Sequence, residues 1–205
     1  MATGHGPRGT NMKRTFTALS AVVASAFGIA SAQTTGTEVQ RNVNQQERIE
    51  QGLKSGELST REAAKLEKGQ TKVERLETKA NKDGTLTDAE KARIQKAQNV
   101  QSKDIARLKH NERTGNPDSA SSKRMQADVQ RNVNQQKRIE QGVQSGQLTT
   151  HEAAKLERGQ ARVTSAEARA GADGHVGAKE QKAIQARENN QSKRVYKEKH
   201  DEQVK

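Results

Sequence analysis

A run of oxygen-bearing residues separates two predicted helices in the first half of the chain. This loop, Lys79–Glu90, reads KANKDGTLTDAE. Carboxylate, amide, hydroxyl and backbone carbonyl oxygens are the ligands that calcium prefers, and a glycine allows the sharp turn that wraps a loop around an ion. Five residues form the candidate metal site: Asn81, Asp83, Thr85, Thr87 and Glu90.

The loop resembles the calcium loop of the EF-hand family. Asn81, Asp83 and Gly84 fall at loop positions 3, 5 and 6, where that family places two oxygen ligands and a glycine. Glu90 falls at position 12, which implies a bidentate carboxylate ligand. Lys79 departs from the pattern because position 1 should carry an aspartate. The resemblance therefore implies weak calcium binding. Glu77, which lies before the loop, is a separate candidate to replace the missing ligand.

A second interpretation of the loop needs no metal. A glycine, an apolar residue, a hydroxyl residue and a glutamate three residues later are typical of a turn that ends in a helix-capping box. Gly56, Leu58, Ser59 and Glu62 form the same arrangement at another turn. Both interpretations of Lys79–Glu90, capping and calcium binding, stay open from the sequence.

One long segment occurs twice in the chain. Val39–His110 aligns without gaps with Val129–His200, and 39 of 72 positions are identical. In each copy, apolar residues recur at steps of three and four in three successive stretches, which is typical of amphipathic helices. We therefore predict an all-α fold: a tandem duplication of a three-helix unit with short capped turns that resemble degenerate EF-hand loops.

The predicted boundaries follow from composition. Residues 1–32 resemble a secretory signal peptide with Met12 as its true start, because a basic Lys13–Arg14 pair precedes an uncharged run and a small-x-small site at Ala30–Ala32. Residues 33–110 form unit 1 and residues 123–205 form unit 2. Residues 111–122 form the linker between them, which contains an Asn-Pro pair that ends a helix. This organisation predicts a periplasmic or secreted protein with no membrane span in the mature chain.

Local signals predict further details of the helices. Thr37 is expected to open the first helix after a polar lead-in. Gly69 and Gly159 lie inside predicted helices, which is explained either by a close helix crossing or by recent duplication. Unit 2 has the poorer third helix, since Leu108 of unit 1 is matched by Glu198. We expect unit 2 to be less stable and its last helix to fray or to dock on unit 1.

The mature chain is poor in apolar residues. Only 24 of its 173 residues are valine, isoleucine or leucine, so long helices with little packing and a chain that orders with a partner are alternatives to a packed bundle. Removing the predicted signal peptide, residues 1–32, takes away three bases and no acids, which leaves a net charge of +9. Because acids and bases alternate along the chain, this charge is expected to form a mixed, solvated helix surface.

No motif predicts catalysis. The chain has no cysteine, no nucleophile elbow and no phosphate-binding glycine loop, so we predict a non-enzymatic protein that requires no cofactor. Tyr196 is the single aromatic residue of the mature chain, which argues against nucleic-acid binding because bases would have no aromatic side chains to stack on. The chain loosely resembles uncharacterised periplasmic helical proteins of Gram-negative bacteria. We predict a binding or stress-related protein with weak calcium binding; the alternative is a basic interaction module for anionic envelope polymers.

Overall fold

The computed structural model describes residues 25–201, with side chains from residue 35 onward. Every regular element in this range is helical, which confirms the all-α prediction. The predicted signal peptide lies mostly outside the described residues and stays a prediction. The six α-helices are α1 (Ser25–Ser55), α2 (Thr60–Ala80), α3 (Asp88–Lys109), α4 (Ala120–Gln144), α5 (Thr150–Ala170) and α6 (Ala178–Lys199), and one 3₁₀ turn (Asn81–Asp83) follows α2.

Helix α1 begins earlier than predicted. Thr37 was expected to open it, but the helix runs without a break from Ser25, and Thr37 lies inside it. The expected lead-in packs on both units: Thr35 is buried beside Asn81 of unit 1, and a Cβ on Gly36 would lie 3.7 Å from Val143 Cγ1 of unit 2. Packing against α4 therefore extends the helix beyond the local start signal.

Capping boxes open three of the helices, as one interpretation of the turns predicted. At the start of α2, Ser59 Oγ accepts a hydrogen bond from the N–H of Glu62, and Glu62 Oε2 accepts one from the N–H of Ser59. These bonds satisfy N–H groups that have no partner within the helix. The same two bonds open α3 and α5, at Thr87 with Glu90 and at Thr149 with Glu152.

Equivalent helices of the two units pack against each other. Helix α1 lies along α4 and α2 lies along α5, and these are the two most extensive helix pairs. Helix α3 covers α1 and α2, while α6 covers α4 and α5. The core is shared, because Ile49 and Leu66 of unit 1 belong to the same buried apolar cluster as Met125, Val129 and Ile184 of unit 2. The expectation that α6 frays or docks on unit 1 is wrong, since α6 forms 22 residues of helix on its own unit.

Side-chain contacts repeat at an offset of 90 residues. Gln45 and Gln135 each donate to a backbone carbonyl of the third helix of their unit, both at 2.8 Å. Glu74 and Thr164 occupy equivalent positions, and Thr164 Oγ1 donates to Glu74 Oε1 at 3.1 Å. This contact between equivalent residues is the one that a local two-fold axis between α2 and α5 would produce.

The two glycines predicted inside helices, Gly69 and Gly159, lie where a side chain of another helix approaches closely. A Cβ on Gly69 would lie 2.0 Å from Gln101 Oε1, and one on Gly159 would lie 2.0 Å from Gln191 Oε1. Gln101 is buried and donates to the carbonyl of Leu66 at 2.9 Å. The close crossing proposed from the sequence is confirmed at both positions.

We predict that Gly69→Ala lowers the free energy of unfolding. Helix propensity alone would favour alanine by about 1 kcal/mol. The new methyl group would displace the Gln101 amide, and a buried polar group that loses its partner costs about 1–3 kcal/mol. Urea denaturation measures the change. In a Gln101→Ala background the same substitution should instead be stabilising, and stabilisation in both backgrounds would contradict the close contact.

Candidate functional site

The predicted calcium loop is closed by its own hydrogen bonds. Asp83 Oδ1 accepts from the N–H and the Oγ1 of Thr85, both at 3.1 Å. Glu90 Oε2 accepts from the N–H of Thr87 at 3.0 Å and from its Oγ1 at 2.6 Å. These bonds lower the pKa of both carboxyl groups, so both are ionised at neutral pH. Four of the five predicted ligands therefore form two neighbouring hydrogen-bonded pairs.

The fifth predicted ligand, Asn81, lies on the side of the loop that faces α1. Its side chain is buried, and its Oδ1 accepts a hydrogen bond from Thr35 Oγ1 at 3.4 Å. Glu77 was expected as a replacement ligand, but it lies in the interior and accepts from Asn42 Nδ2 at 2.7 Å. The contacts of α1 therefore separate both side chains from the exposed loop oxygens.

Three carboxylates meet at the far end of unit 2. Ligand oxygens of Glu152, Glu198 and Asp201 lie within 4.8 Å of one another, the one such group of three in residues 25–201. In unit 1, Glu62 and Asn111 occupy the positions equivalent to Glu152 and Asp201. There Asn111 Nδ2 donates a hydrogen bond to Glu62 Oε1 at 2.8 Å. Sequence reasoning missed this group because the start of α5 and the end of α6 meet only in the fold.

The interior of the bundle contains acids that the sequence analysis did not select. Amide side chains from α1 and α4 hold several of them: Gln46 donates to Glu67 at 2.9 Å, and Gln136 donates to Glu74 at 3.1 Å. The latter bond joins the two units. Eight interior acids are each at most 5% exposed: Glu38, Glu67, Glu74, Glu77, Asp128, Glu157, Glu167 and Glu188.

Hydrogen-bond acceptors outnumber donors in this interior. Both carboxyl oxygens of Glu157 lack a hydrogen-bond partner among the described residues, as do the amide oxygens of Gln46 and Gln136. Arg131 forms the one ion pair that the described residues make with these acids, 3.2 Å from Glu188. A proton turns a carboxylate oxygen into a donor, so protonation is the change that satisfies the surplus acceptors.

Burial raises the pKa of every one of these acids, because a charged carboxylate loses its hydration in the interior. The pKa of Glu67 and Glu157 rises to about 8, and that of Glu188 also rises to about 8. The pKa of Glu38 and Asp128 rises to about 7. Burial and then the negative charge of neighbouring acids hold the pKa well above its ordinary value in Glu74, Glu77 and Glu167.

The outer side of α2 and α5 is basic along its whole length. Every acid within these two helices is buried, and every base is exposed. Residues three, four and seven positions apart share one side of a helix, which places the bases together. We call this surface the basic face; its ten residues are Arg61, Lys65, Lys68, Lys72, Arg75, Lys79, Lys155, Arg158, Arg162 and Arg169.

Two grooves lie on the basic face. They are related by the 90-residue offset, and Arg75 lines both of them. Small side chains line both grooves, with Ala168 in one groove and Ala161 in the other. The larger groove, about 290 Å³, has the basic lining residues Lys68, Lys72, Arg75 and Arg169. The smaller groove, about 230 Å³, has Arg75, Arg158 and Arg162.

The expected mixed surface is therefore wrong for α2 and α5. Acids and bases alternate along these sequences, but the acids share the helical period of the apolar residues. On α2, Glu67 and Glu74 each follow a buried apolar residue, Leu66 and Val73. That shared period was the signal that could have revealed the separation of charge.

Comparisons with protein-family models, with curated proteins and with solved structures find no match to this chain. The resemblance to periplasmic helical proteins thus stays a proposal. Among the described residues, no helix combines the length and the apolar character that a membrane span requires.

We predict that stability falls as pH rises from about pH 5 to about pH 8, because a buried acid with a raised pKa binds its proton more tightly in the folded state than in the unfolded state. The folded chain then holds extra protons between the unfolded pKa, 4.5 for glutamate, and the folded pKa of about 8. Urea midpoints measured across this range at constant ionic strength provide the test.

Glu157→Gln is the matched variant for this experiment. It removes one titrating interior group and keeps the shape of the side chain. The decrease in urea midpoint between pH 5 and 8 should therefore be smaller than in the parent protein. A midpoint that rises with pH in the parent protein would contradict a protonated interior.

Proposed function

We propose that this is a non-enzymatic periplasmic or secreted protein that binds anionic envelope polymers through the basic face. The observation that carries the proposal is the separation of charge in α2 and α5. All ten of their lysines and arginines are exposed, while all seven of their acids are buried. A surface of one sign without interspersed acids attracts an extended ligand of the opposite sign.

The bases of the grooves are available to a ligand. Within residues 35–201, none of the groove residues Lys68, Lys72, Arg75, Arg158 and Arg162 takes part in an ion pair. Arg169 donates to Ser165 Oγ at 2.7 Å, which uses one of its five N–H groups. An incoming anion therefore has no protein carboxylate to displace.

The shape of the basic face favours a chain-like ligand over a small molecule. The grooves are open, and the residues that line them besides the bases are small: alanine and threonine in both grooves, and serine in the larger one. Typical small-molecule sites are deeper and are lined by large apolar side chains. No aromatic residue occurs in α2 or α5, so the face offers no stacking platform for nucleic-acid bases. The resemblance of residues 1–32 to a secretory signal peptide supports an envelope polymer as the partner.

We predict that the double variant Lys72→Gln with Arg162→Gln binds dextran sulfate more weakly than the parent protein. Each contact between a base and the polymer releases about one counterion when the complex forms. The steepness with which the logarithm of the association constant falls with the logarithm of the salt concentration should therefore decrease by about 1 for each base removed. Affinities measured from 50 to 200 mM salt give this slope, with uncharged dextran as the ligand control.

Lys103→Gln with Lys193→Gln is the matched protein control. These lysines occupy equivalent exposed positions on α3 and α6, so this variant loses the same net charge from other surfaces. It should keep the salt slope of the parent protein. Equal weakening in the two variants would show that net charge, and not the basic face, binds the polymer.

Weak calcium binding at Lys79–Glu90 is a second proposal. The observation that favours it is that Asp83 and Glu90 are exposed or half-buried and both have a lowered pKa, so two ionised carboxylates flank the turn. In the second unit, Gly171 and Gly177 replace two of the oxygen-bearing side chains. Binding would therefore be confined to the first unit.

We predict that excess calcium raises the melting temperature of the parent protein and of Glu180→Gln, but not that of Glu90→Gln. A ligand that binds only the folded state stabilises it by RT ln(1 + [L]/Kd). Circular dichroism melts with calcium and then with chelator measure the difference. An equal shift in all three proteins would place the ion elsewhere.

A further inference from the structure

The basic face and the acidic interior are two sides of the same pair of helices. Glu67, Glu74 and Glu157 point into the bundle, and the residues that follow them in sequence, Lys68, Arg75 and Arg158, lie on the basic face. Because consecutive residues lie about 100° apart around a helix, the interior acid and the surface base are separated by no more than about the 10 Å diameter of one helix. The charge state of the interior therefore acts directly on the surface potential.

The size of this effect follows from the residues of α2 and α5. Their ten lysines and arginines and seven glutamates give the pair a charge of +3 when all are ionised. Neutralising the five interior acids of these helices raises that charge to +8; they are Glu67, Glu74, Glu77, Glu157 and Glu167. A low-dielectric interior screens buried charge poorly, so their ionisation would weaken the attraction for a polyanion.

The helices around this pair do not compensate the interior charge. Helix α1 adds Glu38, α4 adds Asp128, and α6 adds Glu188, all buried acids. Arg131 of α4 lies beside Asp128 and Glu188, and Lys91 of α3 acts on Glu38. Two flanking bases thus face eight acids. Most of the negative charge created by ionisation would have no local partner.

We propose that the interior acids gate the basic face: polyanions bind tightly when the interior is protonated, and ionisation of the interior releases them. This inference rests on the proposed function. By thermodynamic linkage, the protein takes up protons when a polyanion binds, because protonation of the interior strengthens polyanion binding and polyanion binding strengthens proton binding. The pKa of about 8 at Glu67 and Glu157 places the change near neutral pH. The partner is therefore held in acid and released in mild alkali.

The test uses the full folded chain and dextran sulfate, whose sulfate charge does not change over the pH range used. Affinity is measured from pH 5.5 to 8.5 at constant ionic strength, and circular dichroism at each pH establishes that the helices are intact. We expect the affinity to fall by about tenfold or more across this range. Calorimetry in buffers of different ionisation enthalpy should show proton uptake on binding.

Two variants separate the interior from other titrating groups. The double variant Glu67→Gln with Glu157→Gln should lose less affinity for dextran sulfate between pH 5.5 and 8.5 than the parent protein, since these two equivalent positions can no longer ionise. His151 is exposed at the start of α5, so His151→Gln is the control for the histidine on the same side of the bundle. The pH dependence should persist in His151→Gln.

Each outcome has a distinct meaning. No binding at any pH would overturn the proposed function together with this inference. Tight binding that does not change with pH would overturn the inference and leave the function standing. The inference also fails if the double glutamine variant has the same pH dependence as the parent protein. It fails as well if affinity falls only where the helical signal is lost, because unfolding would then explain the release.

Discussion

An ionised carboxylate in a protein interior is strongly unfavourable unless a base, a metal or a proton neutralises it. Eight acids lie inside this bundle, and Arg131 is the base that forms an ion pair with one of them. The packed helices are therefore most stable with most of these acids protonated. Protonated carboxyl groups hydrogen-bond without a net charge, and this allows a chain with few large apolar residues to close its interior.

The amide side chains of α1 and α4 complete this interior. Asn42, Gln46 and Gln136 belong to the repeated VQRNVNQQ stretch, and each donates to a buried glutamate. A buried polar group is strongly disfavoured without its partner, so these bonds select one helix register over others. The bond from Gln136 to Glu74 joins the units and, with the apolar cluster that they share, holds them as one body.

The same constraint shapes the surface. Once the acids of α2 and α5 turn inward, helical periodicity leaves lysine and arginine as the charged residues on the outer side of these helices. The net charge of +12 over the whole chain is thus unevenly spread, because ten cations lie on one face. An interior that avoids charge and a surface that concentrates it are two consequences of one arrangement of residues, and this links proton binding to the electrostatics of the basic face.

Local patterns in the sequence determined the number of helices and most of their starts. A capping box such as Ser59 with Glu62 lies within four residues, so its hydrogen bonds form wherever that segment is helical. The positive φ of Gly56 and Gly84 is a local property of the same kind. The oxygens of the calcium-like loop were also visible, yet the direction of Asn81 was not, because its partner Thr35 belongs to another helix.

Only the tertiary structure decided which polar residues are buried. Glutamate is a good helix former whether it faces water or a core, so helix propensity does not distinguish a buried Glu74 or Glu157 from an exposed one, and only their shared period with the apolar residues indicates the side on which they lie. Their burial depends on α2 meeting α5 and on amides supplied from α1 and α4. The early start of α1 has the same origin, since Thr35 and Gly36 are helical where they pack between distant parts of the chain. Contacts between residues remote in sequence fix these features.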